Sequence, residues 1–173
     1  ELKNQDAEDD FLVYPPQFIL EANSSKLCKI SWIGDPLTKR ERSYRFIVDE
    51  LDVDLNPNVE KKSGIRILMR YEGALYVRPG DVEEAEILVD NYKIFTDEEG
   101  NEKISITLEN NGGLHRLLLD TQLTLSAENV EKIVLSSDKL RGLEGSNLLA
   151  GRKREYHILL PDALKGKKTL VEF

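Results

Sequence analysis

The run Gly64-Ile-Arg-Ile-Leu-Met-Arg-Tyr-Glu-Gly-Ala-Leu-Tyr-Val-Arg-Pro79 constrains this chain more than any other segment. Its alternation predicts a single β-strand of about a dozen residues, roughly twice the usual ~5–6. Gly64 opens the run and Arg78-Pro79-Gly80 closes it. Ile65, Ile67, Met69 and Tyr71 fall on one face, Arg66 and Arg70 on the other. A strand carrying such an apolar row completes either its own core or that of another protein. Which of the two it does decides the function.

Around this run the pattern is β throughout, with no long amphipathic helix. Phe11–Tyr14 is stopped by Pro15-Pro16, which cannot donate to a ladder. Leu27–Ile33 sets Cys28, Ile30 and Trp32 against Leu27, Lys29 and Ser31, and the first set is the expected inner face. Arg42–Leu51 puts Tyr44, Phe46 and Val48 on one side, and a polar loop, Asn56–Ser63, leads into the long strand. The acidic segment Asp81–Glu86 reads as a hinge between domains. The strand pattern then restarts at Ile87–Val89, Tyr92–Phe95 and Ile104–Leu108. Asn110-Asn-Gly-Gly113 is the strongest tight-turn signal. Leu114–Leu119, Thr121–Leu125, Lys132–Leu135, Glu155–Leu160 and Thr169–Phe173 complete the set, a spacing that predicts β-sandwiches.

Composition excludes several functions. Hydrophobic residues at 40 % and charged residues at 32 % are those of a globular chain. A net charge of −8 argues against binding nucleic acid or an anionic membrane, both of which need a cationic surface. No apolar run approaches the ~20 residues that span a bilayer, so membrane insertion is not expected. The single cysteine, Cys28, forbids an intrachain disulfide and reads as a small buried hydrophobe. His115 and His157 are the only histidines, too few for a multi-histidine metal site. No serine sits in a nucleophile elbow, and Gly166-Lys-Lys-Thr169 lacks the upstream glycine of a phosphate loop. The acidic clusters Glu8–Asp10, Asp81–Glu86 and Asp97–Glu99 read as solvated loops, and Arg152-Lys-Arg154 as a strand entry. We expect no catalytic residues, no metal and no cofactor: the chain reads as a non-enzyme.

Six segments carry a resemblance in collinear order. They are Leu12-Val-Tyr-Pro-Pro-Gln-Phe18, Leu27-Cys-Lys-Ile30, Glu41-Arg-Ser-Tyr-Arg-Phe-Ile-Val-Asp-Glu50, Gly64–Pro79, Ile106-Thr-Leu-Glu-Asn-Asn-Gly-Gly-Leu-His115 and Leu148-Leu-Ala-Gly-Arg-Lys-Arg-Glu-Tyr156. Together they resemble the periplasmic chaperones of the chaperone–usher pilus pathway. The resemblance implies an all-β chain of two immunoglobulin-like β-sandwiches, residues 1–80 and 81–173. It implies a periplasmic location, pilus or fimbrial subunits as clients and an outer-membrane usher as second partner. Such chaperones donate a strand to a subunit that lacks one, and here that strand would be 64–78, with Ile65, Ile67, Met69 and Tyr71 as its binding row. The family's usual opening strands have no counterpart ahead of Phe11, so the first sandwich is expected to be incomplete and to self-associate through open sheet edges. The basic residue expected near Ala74 to anchor a client carboxylate is missing, which leaves Arg70 as the candidate. The rival reading is an immunoglobulin-like structural or adhesion module whose long strand stays covered. A weaker third is a carbohydrate-binding accessory module, against which the single Trp32 counts.

Overall fold

The computed structural model describes residues 6–36, 39–53, 65 and 67–173. Gly64, Arg66 and the polar loop at 56–63 lie outside the described residues. The described chain is all-β, with twelve strands and three short 3-10 turns, as the alternation predicts. It divides into two compact units, one of residues 1–35 and 42–77 and the other of residues 36–41 and 78–173.

The first unit contains β1 (Phe11–Tyr14), β2 (Lys29–Trp32), β3 (Arg42–Asp49) and β4 (Arg70–Val77). β1 pairs antiparallel with β2, and β3 with β4, as two separate two-stranded sheets. Three rings bridge them. Phe11 lies 5.1 Å from Trp32 and 4.8 Å from Tyr44, and Trp32 lies 5.7 Å from Tyr44 between centroids. The Phe11 contacts have the edge-to-face geometry that the aromatic quadrupole favours. Gly34 makes room for this cluster, since a Cβ there would stand 2.6 Å from the Trp32 ring. No described hydrophobic side chain of this unit reaches full burial. Cys28, Ile30 and Trp32, the expected inner set, are half-buried.

The long strand is shorter than its alternation predicts. β4 runs for 8 residues, Arg70–Val77, while Ile65 and Ile67–Met69 carry no strand pairing. A strand is made by its partner's ladder, and here the partner runs out. β3 ends at Asp49, and beyond it the amide of Val53 donates to the carbonyl of Leu51 at 2.9 Å, a tight turn that takes the chain off the sheet.

The second unit contains β5 (Ile87–Thr96), β6 (Glu102–Asn110), β7 (Arg116–Leu117), β8 (Leu123–Ala127), β9 (Val130–Leu135), β10 (Asn147–Leu148), β11 (Lys153–Leu159) and β12 (Thr169–Glu172). One sheet has the order β11-β6-β5, another β12-β8-β9, and β10 pairs with β7. Inward residues of both larger sheets meet in one core: Ile104, Ile106 and Leu108 of β6, Tyr156 and Ile158 of β11, Leu123 and Leu125 of β8. Ile87–Val89 and Tyr92–Phe95, two runs by sequence, form one strand whose register shifts between Val89 and Asn91. The extra residue lets Ile87, Val89 and then Tyr92 all pack on the core.

At the turn after β5, Asp97 gathers the amides of Glu99 at 3.0 Å and Asn101 at 2.8 Å, and the Lys103 ammonium at 2.7 Å. Lys103, and next the Asn101 amide, hold its carboxyl down to about 2. A depressed carboxyl stabilises the fold above its ordinary value, and that contribution is lost as the pH falls through about 2. Asp97→Asn is therefore expected to lower the melting temperature near pH 7 and to lower it much less near pH 2, as thermal melts at about those two values would show.

The Asn110–Gly113 segment does not close a hairpin. β6 ends at Asn110, and the next strand, β7, belongs to a different sheet. The left-handed glycines are elsewhere, at Gly100, Gly142, Gly145, Gly151 and Gly166, whereas a two-residue hairpin turn of the favoured kind needs positive φ. The two glycines serve close approach instead. A Cβ on Gly112 would stand 2.0 Å from the carbonyl oxygen of Glu84, and one on Gly113 would stand 2.2 Å from the Val82 side chain. The loop thereby grips residues 82–86: Asn111 N donates to Glu86 O at 2.8 Å and Gly113 N to Glu83 O at 3.2 Å. The acidic segment read as a hinge is held inside the second unit by these bonds. Gly112→Ala should destabilise by about 1–3 kcal/mol through forced overpacking, read from a denaturant midpoint.

Candidate functional site: an exposed apolar row beside a paired strand

In the β3–β4 register Val48 lies opposite Tyr71, Phe46 opposite Gly73 and Tyr44 opposite Leu75. Side chains across a pair share a face, so Tyr71, Gly73, Leu75 and Val77 lie on the side of Tyr44, which joins the aromatic cluster. Leu75 and Val77 are half-buried there. Continued backwards by alternation, the pattern takes in Met69, Ile67 and Ile65: Tyr71 is 61 % exposed and Met69 47 %, and exposure then climbs to 74 % at Ile67 and 96 % at Ile65. All four residues of the predicted row are exposed. Only Tyr71 lies within a strand.

The junction between the paired strand and the exposed stretch is held by two acidic residues. Arg70 donates to Asp49 through Nε at 2.6 Å and Nη2 at 2.8 Å, a bidentate fork. These bonds hold the Asp49 carboxyl below its ordinary range and raise the Arg70 guanidinium. One residue further, the Glu50 amide donates to Met69 O at 2.9 Å, and the Met69 amide donates to the Glu50 carboxylate at 3.2 Å. Arg70, the candidate carboxylate anchor, thus already holds a carboxylate from its own chain. Opposite Ala74 stands Arg45, 68 % exposed, with Glu72 its ion-pair partner at 3.9 Å.

In the second unit a separate cluster forms around Glu41, whose side chain is 1 % exposed. Its carboxylate accepts Arg78 Nε at 2.9 Å and the His115 amide at 3.2 Å, and His115 Nδ1 lies 2.6 Å away. Glu41, Arg78 and His115 come from three separate resembling segments, so those motifs converge on one buried carboxylate. The sequence shows Glu41 and His115 only as members of two motifs, with nothing local to mark either as part of a shared cluster. The signal available was that both sit in quoted motifs far apart in the chain. Nearby, Lys39, Arg40, Asp81, Glu83 and Asn111 line an open polar hollow of about 470 Å³. Charges of both signs line it, so it carries no preference for anion or cation.

Elsewhere the arrangement is structural. His157 Nε2 lies 3.1 Å from Glu155, whose other partner is the Ser105 hydroxyl. The carboxylate stands between serine and histidine, so the imidazole has no path to the serine proton. Cys28 is half-buried with Sγ 3.6 Å from Pro15 O. Among the described residues no three side chains are grouped to hold a metal ion, and no helix is long and apolar enough to cross a membrane.

No curated protein and no solved structure matches the chain. Residues 1–83 match the family model of the pili and flagellar-assembly chaperones, PapD N-terminal domain. That match spans both strand pairs of the first unit and the whole apolar row. Over this segment, just under half of its length, the chain is similar to the pilus-assembly chaperones, whose N-terminal domain is immunoglobulin-like.

Proposed function

We propose that this protein is a periplasmic chaperone that caps pilus or fimbrial subunits by donating residues 64–78 as a strand. The observation that carries this reading is the apolar row, exposed up to 96 % at Ile65, on a segment continuous with a paired strand. Backbone groups on such a segment supply general affinity, and alternate side chains entering pockets supply specificity. Ile65, Ile67, Met69 and Tyr71 would fill those pockets. Burying each is worth ~1.5–3 kcal/mol, so the row offers roughly 6–12 kcal/mol before ordering costs. That is enough for a stable complex from which a client can still be released. The chemistry needs no catalytic group, metal or cofactor.

Two sandwiches of about residues 1–80 and 81–173 fit this reading, as does an outer-membrane usher receiving the loaded complex. Without a client, the exposed row and the β3–β4 pair, which has no further strand among the described residues, favour self-association. For Arg70 to anchor a client carboxylate, the incoming group has to replace Asp49. A pull-down from periplasmic extract tests the proposal. Recovery of a small β-rich subunit is the expected result. A folded protein that recovers none, and sediments as a monomer, would favour a structural module instead.

A further inference from the structure

We infer that Asn111-Gly112 is a latent deamidation site, shielded in the folded chain by Asn110, whose isoaspartate product stops the loop from closing again. This inference does not depend on strand donation. Asn111-Gly112 is the one Asn-Gly pair in the sequence. Glycine carries no side chain to hinder its own amide nitrogen, so that nitrogen can reach the carboxamide carbon of the preceding asparagine. The nitrogen gives up its proton to base, bonds to Asn111 Cγ and expels ammonia, which leaves a succinimide. Water then opens the ring. Cleavage at the side-chain carbonyl gives aspartate. Cleavage at the main-chain carbonyl gives isoaspartate, whose backbone runs through Cγ and is one carbon longer.

The fold exposes one reactant and withholds the other. Asn111 is exposed, whereas Gly112 is buried. The Gly112 amide, which has to attack, donates instead to Asn110 Oδ1 at 3.0 Å. Asn110 is itself held, with Nδ2 donating to Leu114 O at 2.8 Å and Leu148 O at 3.1 Å. The Gly112 peptide also has no room to swing, because a Cβ there would collide with Glu84 O and stand 2.6 Å from Glu86 N. On either side, Asn111 N donates to Glu86 O and Gly113 N to Glu83 O. The nitrogen becomes reactive only when the loop lifts off residues 82–86. Its modification therefore follows the opened population, as amide exchange does. Isoaspartate then shifts Gly112 by a whole carbon in a contact that has no slack. Aspartate keeps the original backbone, and Lys39 and Arg40 on the same hollow offset its new charge. The loop thus closes over aspartate more readily than over isoaspartate.

Peptide mapping by mass spectrometry, on the full chain incubated at neutral pH, reads the amide-to-acid mass gain at Asn111. The folded parent should gain it at least about a hundredfold more slowly than the same chain in urea. Folded Asn110→Ala should be at least about tenfold faster than the parent. Gly113→Ala, whose Cβ would collide with the Val82 side chain, lifts the loop with Asn110 intact and should accelerate the reaction similarly; it carries the test where Asn110→Ala does not fold. Leu140→Ala removes a fully buried core side chain and none of the hydrogen bonds named above. While folded, it should stay within about threefold of the parent. The isoaspartate form, separated by chromatography, should unfold at a lower urea concentration than the parent. Equal rates in the folded and denatured parent would overturn the shield, as would folded Asn110→Ala and Gly113→Ala variants no faster than the parent. Acceleration by Leu140→Ala equal to that by Asn110→Ala would place the reaction in the globally unfolded chain and overturn it too. An isoaspartate form with the parent's midpoint would overturn the block on closing.

Discussion

Ile67→Glu should abolish recovery of a pilus subunit while leaving the unfolding midpoint of the free protein within about 0.5 kcal/mol of the parent. The two halves of this expectation come from one number. Ile67 is 74 % exposed, so a charge there meets water in the unliganded chain. In a client's groove the same position would be dry. The variant would lose the ~1.5–3 kcal/mol of the isoleucine and bury an unpaired carboxylate as well. A combined loss of about 3 kcal/mol or more corresponds to at least a hundredfold in affinity. Ile47→Glu on β3, where Ile47 is 48 % exposed but outside the row, is the matched control and should retain binding. If Ile67→Glu unfolds the free protein, the residue serves its own core and the row does not act as a donor.

Asn110→Ala should have the largest effect on stability, about 2–5 kcal/mol, because it strips four hydrogen bonds, two buried and two part-buried, at once. Asn110 is 0 % exposed. Its Nδ2 donates to Leu114 O at 2.8 Å and Leu148 O at 3.1 Å, and its Oδ1 accepts from Gly112 N at 3.0 Å and Glu86 N at 3.2 Å. Its main chain is committed too, donating to Arg152 O at 2.9 Å and accepting from Gly151 N at 2.8 Å. One side chain thus ties the end of β6 to the acidic segment, to β10 and to the loop before β11. Alanine leaves the buried partners, Leu148 O and Gly112 N, without a replacement. Urea unfolding of the two proteins would measure the difference, and a change below about 0.5 kcal/mol would mean that the bonds are replaced.

The fold class was legible because burial on one face forces period-2 alternation. Ile104–Leu108 and Glu155–Leu160, read as strand runs, fall in strands of the structure, with Ile104, Ile106, Leu108, Tyr156 and Ile158 buried at alternate positions. Strand ends were less legible, because they depend on the partner. Gly64–Pro79 reads as one long strand, yet among the described residues the strand begins at Arg70, where β3 turns away. Asn110–Gly113 reads as a tight turn because Asn and Gly favour positive φ. Their use here, a buried amide hub and a close backbone contact, needs neighbours distant in sequence. The exposed row was named residue by residue from alternation alone. The bond from the Met69 amide to the Glu50 carboxylate was not, since nothing local in the sequence marks it.

The most direct test of strand donation is a photo-crosslinking amino acid placed at position 67, and separately at position 47, in the chain expressed in the periplasm. The account predicts an adduct at position 67 alone, with the attached peptides mapping to the strands that flank a subunit's open groove. No adduct from position 67 in a folded protein, or equal adducts from both positions, would contradict it.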